Sequence, residues 1–318
     1  MKGRSWLRNL EWAIGLLVLA AIARYLVREW DRLASRSWEV DWVLLGIASA
    51  LVVLAYSGFV LLWRHLVARL GGHLSGVDAH RVWYFGNLAR YVPGKVLQLA
   101  GTAYLARAKG VRPILTVGSM VVAQLFVIVA GVAVALVALP AGSLRVPGGV
   151  TAGLVVAGAL TILLVTPLFD VAHRLALRLA GRGEAHVRVP VTTRLGLLAG
   201  YLATWVVFGL GFALFVQAVG DPAPGSLPTL IGICAAGYLA GWAAVFVPGG
   251  LGVREGVYAL LLAEVLPGPL AAAVAILSRV WLTAVEVLVA GGLALRYGLR
   301  DLRATTVSAP EPLRNVDG

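Results

Sequence analysis

Residues 90–95 read RYVPGK, and residues 246–256 read FVPGGLGVREG. Both place a Pro-Gly pair beside cations, in a chain of 318 residues that is 60% hydrophobic and 13% charged. Proline removes a backbone donor, and glycine permits geometry that ends a helix. In lipid, irregular backbone survives only where protein or a wet cavity covers it. Whether these breaks lie at membrane depth therefore decides the fold.

The flanking sequence puts them there. Segments 42–63, 114–139, 195–219, 227–247 and 270–295 reach the roughly 20 apolar residues that cross a hydrocarbon core of about 30 Å. Segments 12–27 and 149–166 are shorter but apolar enough to join them. The expected fold class is an all-α polytopic membrane protein. Lys2, Arg4 and Arg8 precede the first segment, and Ala21-Ile22-Ala23 has the form of a cleavage site. Glu11 and Arg24 fit a signal peptide poorly, so 12–27 is read as the first helix.

Net charge is +12, which in a soluble chain would suggest nucleic acid. Here the cations cluster between apolar runs, where they set topology and meet anionic headgroups. No nucleic-acid partner is expected. Cys234 is the single cysteine and lies in an apolar run, which excludes a disulfide within the chain and a thiolate metal cluster. The five histidines (65, 73, 80, 173, 186) lack ligand spacing, and no Gly-Lys-Ser/Thr phosphate loop occurs. Neither metal, cofactor nor ATP hydrolysis is expected. Lysine occurs only at 2, 95 and 109, and the Arg-, Ala-, Gly- and Val-rich usage points to a bacterial source.

The two Pro-Gly pairs stand 155 positions apart (248 − 93). The same shift matches Gly86 to Gly241, Ala89 to Ala244, Gly101 to Gly256 and Leu105 to Leu260, and lays 42–63 over 197–218. Two halves follow, 1–148 and 149–303, with a polar tail at 304–318. Each half holds two single-crossing helices, a helix–Pro-Gly–helix pair and a third single crossing. That makes six single crossings plus two broken pairs, spanning or re-entrant. Three crossings per half is odd, so the second half is inverted, a transporter architecture.

Lys and Arg are dense before residue 9, between 64 and 112, between 174 and 194, and after 296. Those stretches read as cytoplasmic, both termini among them, and 140–148 and 220–227 as external. The 28–41 stretch mixes three arginines with Glu29, Asp31, Glu39 and Asp41, and is read as a solvated external loop. Arg174, Arg178 and Arg182, four apart, suit an interfacial helix or an extension of the fourth crossing.

Cations inside a membrane cost about 2.5–3.5 kcal/mol each on insertion scales, so they tend to face partners or an anionic ligand. Arg90 and Lys95 are read as a cavity wall that meets a lipid phosphate. The competing reading is an ordinary turn with both side chains snorkelling to the interface. In the second break, Glu255 is a counter-charge or a ligand for a cationic headgroup, or else forms an ion pair with Arg254 or another arginine. Arg279 and Glu286 lie seven apart and share one face of the last helix, either as cargo ligands or as a helix lock. Gln98, Gln124 and Gln217 are read as interhelical hydrogen-bond partners.

RYVPGK, then VPGGLGVREG, then Ser278-Arg279 in a final helix together resemble the flippase-like integral membrane family that includes the transmembrane region of the lysylphosphatidylglycerol synthases. The resemblance covers roughly 10–300. It implies movement of lipids between leaflets of a bacterial cytoplasmic membrane, with aminoacylated phosphatidylglycerol the best-known cargo. The residues read as a lipid-binding or translocation site are Arg90, Pro93, Gly94, Lys95, Pro248, Gly249, Gly250, Gly252, Arg254, Glu255, Arg279 and Glu286. The bifunctional members continue into a soluble aminoacyl-transferase domain, and this chain stops at 318 with a short tail, so lipid synthesis is not expected of it. Membrane lipids are the expected partners, and a homo-oligomer or a separate lipid-modifying enzyme is compatible with the reading. Two alternatives stand: a transferase using a polyprenyl-phosphate donor, with Asp31, Glu39 and Asp41 as its carboxylates, and a secondary transporter of a soluble anion.

Overall fold

The computed structural model describes residues 39–88, 95–141, 189–220, 222–223, 226–244, 247 and 250–298, with single positions at 24, 27, 31 and 158. Eight helices occupy these residues: α1 (Trp42–Arg69), α2 (Gly76–Leu88), α3 (Lys95–Arg107), α4 (Pro113–Ala141), α5 (Val191–Gly220), α6 (Leu227–Ala243), α7 (Val253–Leu262) and α8 (Gly268–Tyr297). The described residues contain no strand. The expected crossings at 12–27 and 149–166 lie outside them, apart from helical positions 24, 27 and 158.

α1, α4, α5 and α8 are long and apolar enough to cross a membrane. At 1.5 Å per residue their 28–30 residues run about 42–45 Å, enough for the hydrocarbon and both headgroup layers. They expose large apolar side chains outward, Leu54, Val280 and Leu288 among them, as lipid-facing helices do. The arms beside the breaks are shorter. α2 and α3 have 13 residues each, α6 has 17 and α7 has 10, or roughly 20, 26 and 15 Å. Over the described residues, no single arm covers a core of about 30 Å.

α1 packs along α5, and the two run antiparallel. The Asp41 N–H donates to the Ala218 carbonyl at 3.0 Å. Further along, Gly211 meets Ala48 and Val52, Tyr56 meets Phe208, Gly58 meets Thr204, and Gly200 meets Leu62. Residue numbers rise on one helix as they fall on the other. Small residues at these crossings let the backbones approach, as membrane helices without a hydrophobic driving force require. Indole N–H groups tie in the neighbours: Trp63 donates to Ser119 (3.0 Å), Trp205 to the Val127 carbonyl (2.8 Å) and Trp281 to Ser49 (2.9 Å).

Each broken pair is a hairpin whose ends meet. In α2–α3, Lys109 reaches the Asp78 carboxylate at 3.1 Å, and the Ser75 hydroxyl donates to the same carboxylate. Burial pushes the Asp78 carboxyl up, but Ser75 and Lys109 more than offset this and hold it below its ordinary value. In α6–α7, the Ala223 N–H donates to the Val265 carbonyl at 3.2 Å. Arg81 of α2 donates to the Gly298 carbonyl at 2.8 Å and so caps the C-terminus of α8. One end of the bundle therefore gathers 69–81, 107–113 and 297–298. The other gathers 41, 218–223 and 263–267. The two hairpins open toward opposite ends.

The main packing pairs repeat in a regular way. Exchanging each helix for the one four places away turns α4·α6 into α8·α2, α5·α6 into α1·α2, α7·α8 into α3·α4, and α4·α5 into α8·α1. Helix boundaries obey the 155-residue shift: Arg107 and Leu262 end α3 and α7, and Pro113 and Gly268 begin α4 and α8.

One reading of the first external stretch needs correction. Asp41 is not merely solvated: its carboxylate accepts from the Val43 and Leu44 N–H groups, both at 2.9 Å, and caps α1. Position 31 is helical rather than loop.

Candidate functional site

The second break is described at Ala244, Val247 and 250–252. α6 ends at Ala243, and the chain bends back through Val247, whose carbonyl accepts from the Gly250 N–H at 3.0 Å. Gly250 has φ +66°, and a Cβ on it would lie 2.7 Å from both the Cα and the carbonyl oxygen of Gly241. The returning chain thus rests on the backbone of α6, which only glycine on both sides permits. Gly252, at φ +81°, then opens α7.

Glu255 fixes this turn. Its buried carboxylate accepts from the Gly252 N–H through Oε2 at 2.7 Å and from Arg279 Nη1 through Oε1 at 3.2 Å. The first bond caps α7, and the second fastens the break to α8. Side-chain exposure is 3% for Glu255 and 17% for Arg279, which makes this a largely buried ion pair. Of the readings left open, the pair with another arginine is what the structure contains.

Arg254 takes a different path from its neighbour. Its Nε donates to the Tyr258 hydroxyl at 3.2 Å, and that hydroxyl donates to the Cys234 carbonyl at 3.2 Å. The guanidinium carbon sits 5.1 Å from the Tyr258 ring centroid and 6.0 Å from that of Tyr238. Tyr258 packs flat against Gly237, where any Cβ would overlap its ring. Arg254 as a residue is half-buried, yet its Nη2 is sealed from solvent and donates to no acceptor.

Glu286 is buried two turns along α8 from Arg279 and lies within electrostatic range of the Tyr84 hydroxyl on α2. One face of α8 therefore serves both hairpins, Arg279 toward the second and Glu286 toward the first. In the first hairpin the Gln98 side chain donates to Asn87, joining α2 to α3 across the break, and Gly86 packs on Thr102. Lys95 begins α3. Arg90, Pro93, Gly94, Pro248 and Gly249 lie outside the described residues, as does the Lys95 side chain.

Reading the sequence missed Tyr258, Tyr238 and Arg81. Arg254 and Tyr258 are four apart on a helix, which is a signal for a shared face. Nothing in the sequence marks Tyr238 or the carbonyls that Arg81 caps, because both partners arrive only by tertiary packing.

These features define an all-helical, multi-pass membrane protein whose long helices enclose two broken helical hairpins. The chain belongs to the family of the lysylphosphatidylglycerol synthase TM region, whose profile matches residues 12–290. No curated protein matches it.

Proposed function

We propose that the protein is a lipid translocase that moves an anionic or aminoacylated phospholipid, or another phosphate-bearing lipid, between leaflets. The observation that carries this reading is the pair of broken hairpins opening toward opposite ends of one bundle, in a family named for a lipid synthase. The short described arms support re-entrant hairpins, and the antiparallel course of α1 and α5 supports reading the halves 1–148 and 149–303 as inverted repeats. Each break then opens a path from one leaflet toward the midplane.

The end that gathers Arg69, Arg107, Lys109, Arg112 and Arg296 faces the cytoplasm of a bacterial cell, and the end with Asp41 and Glu264 faces out. Both termini are cytoplasmic in this orientation. Arg90 and Lys95 meet the lipid phosphate at the first break, where charge-assisted bonds replace part of its hydration. Glu255, held by Arg279, positions the second. The transporter reading is preferred to the transferase because one of the three carboxylates that a transferase would use, Asp41, is engaged in capping α1.

The test is a headgroup-accessibility assay in proteoliposomes, using fluorescent phosphatidylglycerol, aminoacylated phosphatidylglycerol and phosphatidylcholine. Wild-type protein is expected to bring inner-leaflet phosphate lipid within reach of an impermeant quencher. The Arg90→Gln, Lys95→Gln double variant should stay monodisperse and lose most of that movement. Undiminished movement by the double variant contradicts the phosphate site. Entry of labelled inorganic phosphate, with no lipid moving, would replace the reading with a soluble-anion transporter.

A further inference from the structure

We propose that the Arg254 guanidinium is the receptor for an anionic phosphate oxygen at the second break, an inference that rests on the translocase reading and names its ligand group. Three other described cations near the hairpins have acceptors. Arg279 has Glu255, Lys109 has Asp78, and Arg81 has the carbonyls at the end of α8. Among the described residues, Arg254 reaches no carboxylate within ion-pair distance, although Glu255 is its neighbour in sequence.

The guanidinium is nevertheless fixed. Tyr258 takes its Nε–H, Tyr238 and Tyr258 flank it, and Gly241 lies against the base of its side chain, since a Cβ there would come within 3.0 Å of Arg254 Cβ. Aromatic faces offset part of the charge without using the in-plane N–H donors. The Nη2 donors are closed off from water and unused. A sealed cationic donor lacking an acceptor is costly, and a phosphate oxygen is the acceptor that its planar fork matches. Position favours the same ligand: Arg254 is the second residue of α7, at the positive end of the helix and beside the broken backbone.

The experiment is thermal unfolding of the full-length, detergent-purified protein titrated with three probes: dioctanoyl phosphatidylglycerol, dioctanoylglycerol and inorganic phosphate. The phosphate lipid should raise the wild-type midpoint saturably, while the neutral lipid should not. Arg254→Gln is expected to raise the half-saturating lipid concentration roughly tenfold, the loss typical of a hydrogen bond to a charged group. Arg107→Gln, an exposed cation at the hairpin mouth, should leave it unchanged. A folded Arg254→Gln protein with wild-type lipid binding would overturn the proposal, as would an equal response to dioctanoylglycerol. An Arg254-dependent response to inorganic phosphate with none to the lipid keeps the receptor and removes the translocase reading. Should Arg254→Gln fail to yield monodisperse protein, Tyr258→Phe keeps the ring and frees the guanidinium. Severalfold weaker binding supports the site, and unchanged binding refutes it.

Discussion

Arg279→Ala lowers the stability of the detergent-purified protein by about 3 kcal/mol, at the lower end of what breaking a buried ion pair costs. Glu255 keeps only its Gly252 bond after this change, and its other oxygen is left in a site with 3% side-chain exposure. The partial exposure of Arg279 lets some water in, which sets the estimate at the lower end. Against a total of roughly 5–15 kcal/mol for a folded domain, that is a large fraction. Glu255→Gln presents an amide N–H₂ or carbonyl to a cation and loses the charge, so a similar fall is expected. The double variant Glu255→Gln, Arg279→Gln removes both charges and should recover part of the loss. A double-mutant cycle on thermal midpoints measures the coupling, expected at about 1–3 kcal/mol. Additive single effects would mean that the pair does not hold the break to α8.

Gly250→Ala is the second large effect, and its cost comes from backbone rather than charge. A left-handed φ of +66° costs a non-glycine residue about 1–2 kcal/mol. The new Cβ also meets the Cα and carbonyl of Gly241 at 2.7 Å, where no side chain can rotate away. Gly110 has φ +82° but open space around it, so Gly110→Ala carries the backbone penalty alone. The measurement is the temperature at which half of each variant loses monodispersity. Gly250→Ala should fall well below Gly110→Ala and should lose lipid movement. Equal midpoints would mean that α6 and the returning chain are not in contact.

The crossings at α1, α4, α5 and α8 were legible because 28–30 residues of nearly unbroken apolar sequence admit one environment. The breaks were legible from two Pro-Gly pairs and a constant offset. The face shared by Arg279 and Glu286 followed from helical periodicity. What stayed hidden depended on distance in the chain. Arg254 and Arg279 are both cations near Glu255, and only the direction of α7 against α8 gives the carboxylate to the residue 24 positions away. Asp41 was legible in principle, since Asp before an apolar run is a helix-start signal. Its neighbours Glu39 and Asp31 made it read as part of an acidic loop instead. Gly237 shows the same limit: its role exists only because Tyr258 lies across it.

The central claim is that the two hairpins open on opposite faces of the membrane. Impermeant thiol labelling in intact cells tests it most directly, in a Cys234→Ala background. Cys234 is buried, and alanine keeps the backbone carbonyl to which Tyr258 donates. Ser226 falls at the mouth of the second hairpin but is buried, so the exposed Ala223 is the better probe there. His73, exposed between α1 and α2, marks the mouth of the first. The account predicts that Ala223→Cys reacts in intact cells and His73→Cys reacts only after permeabilisation. Equal labelling of both in intact cells would place the two mouths on one face and contradict it.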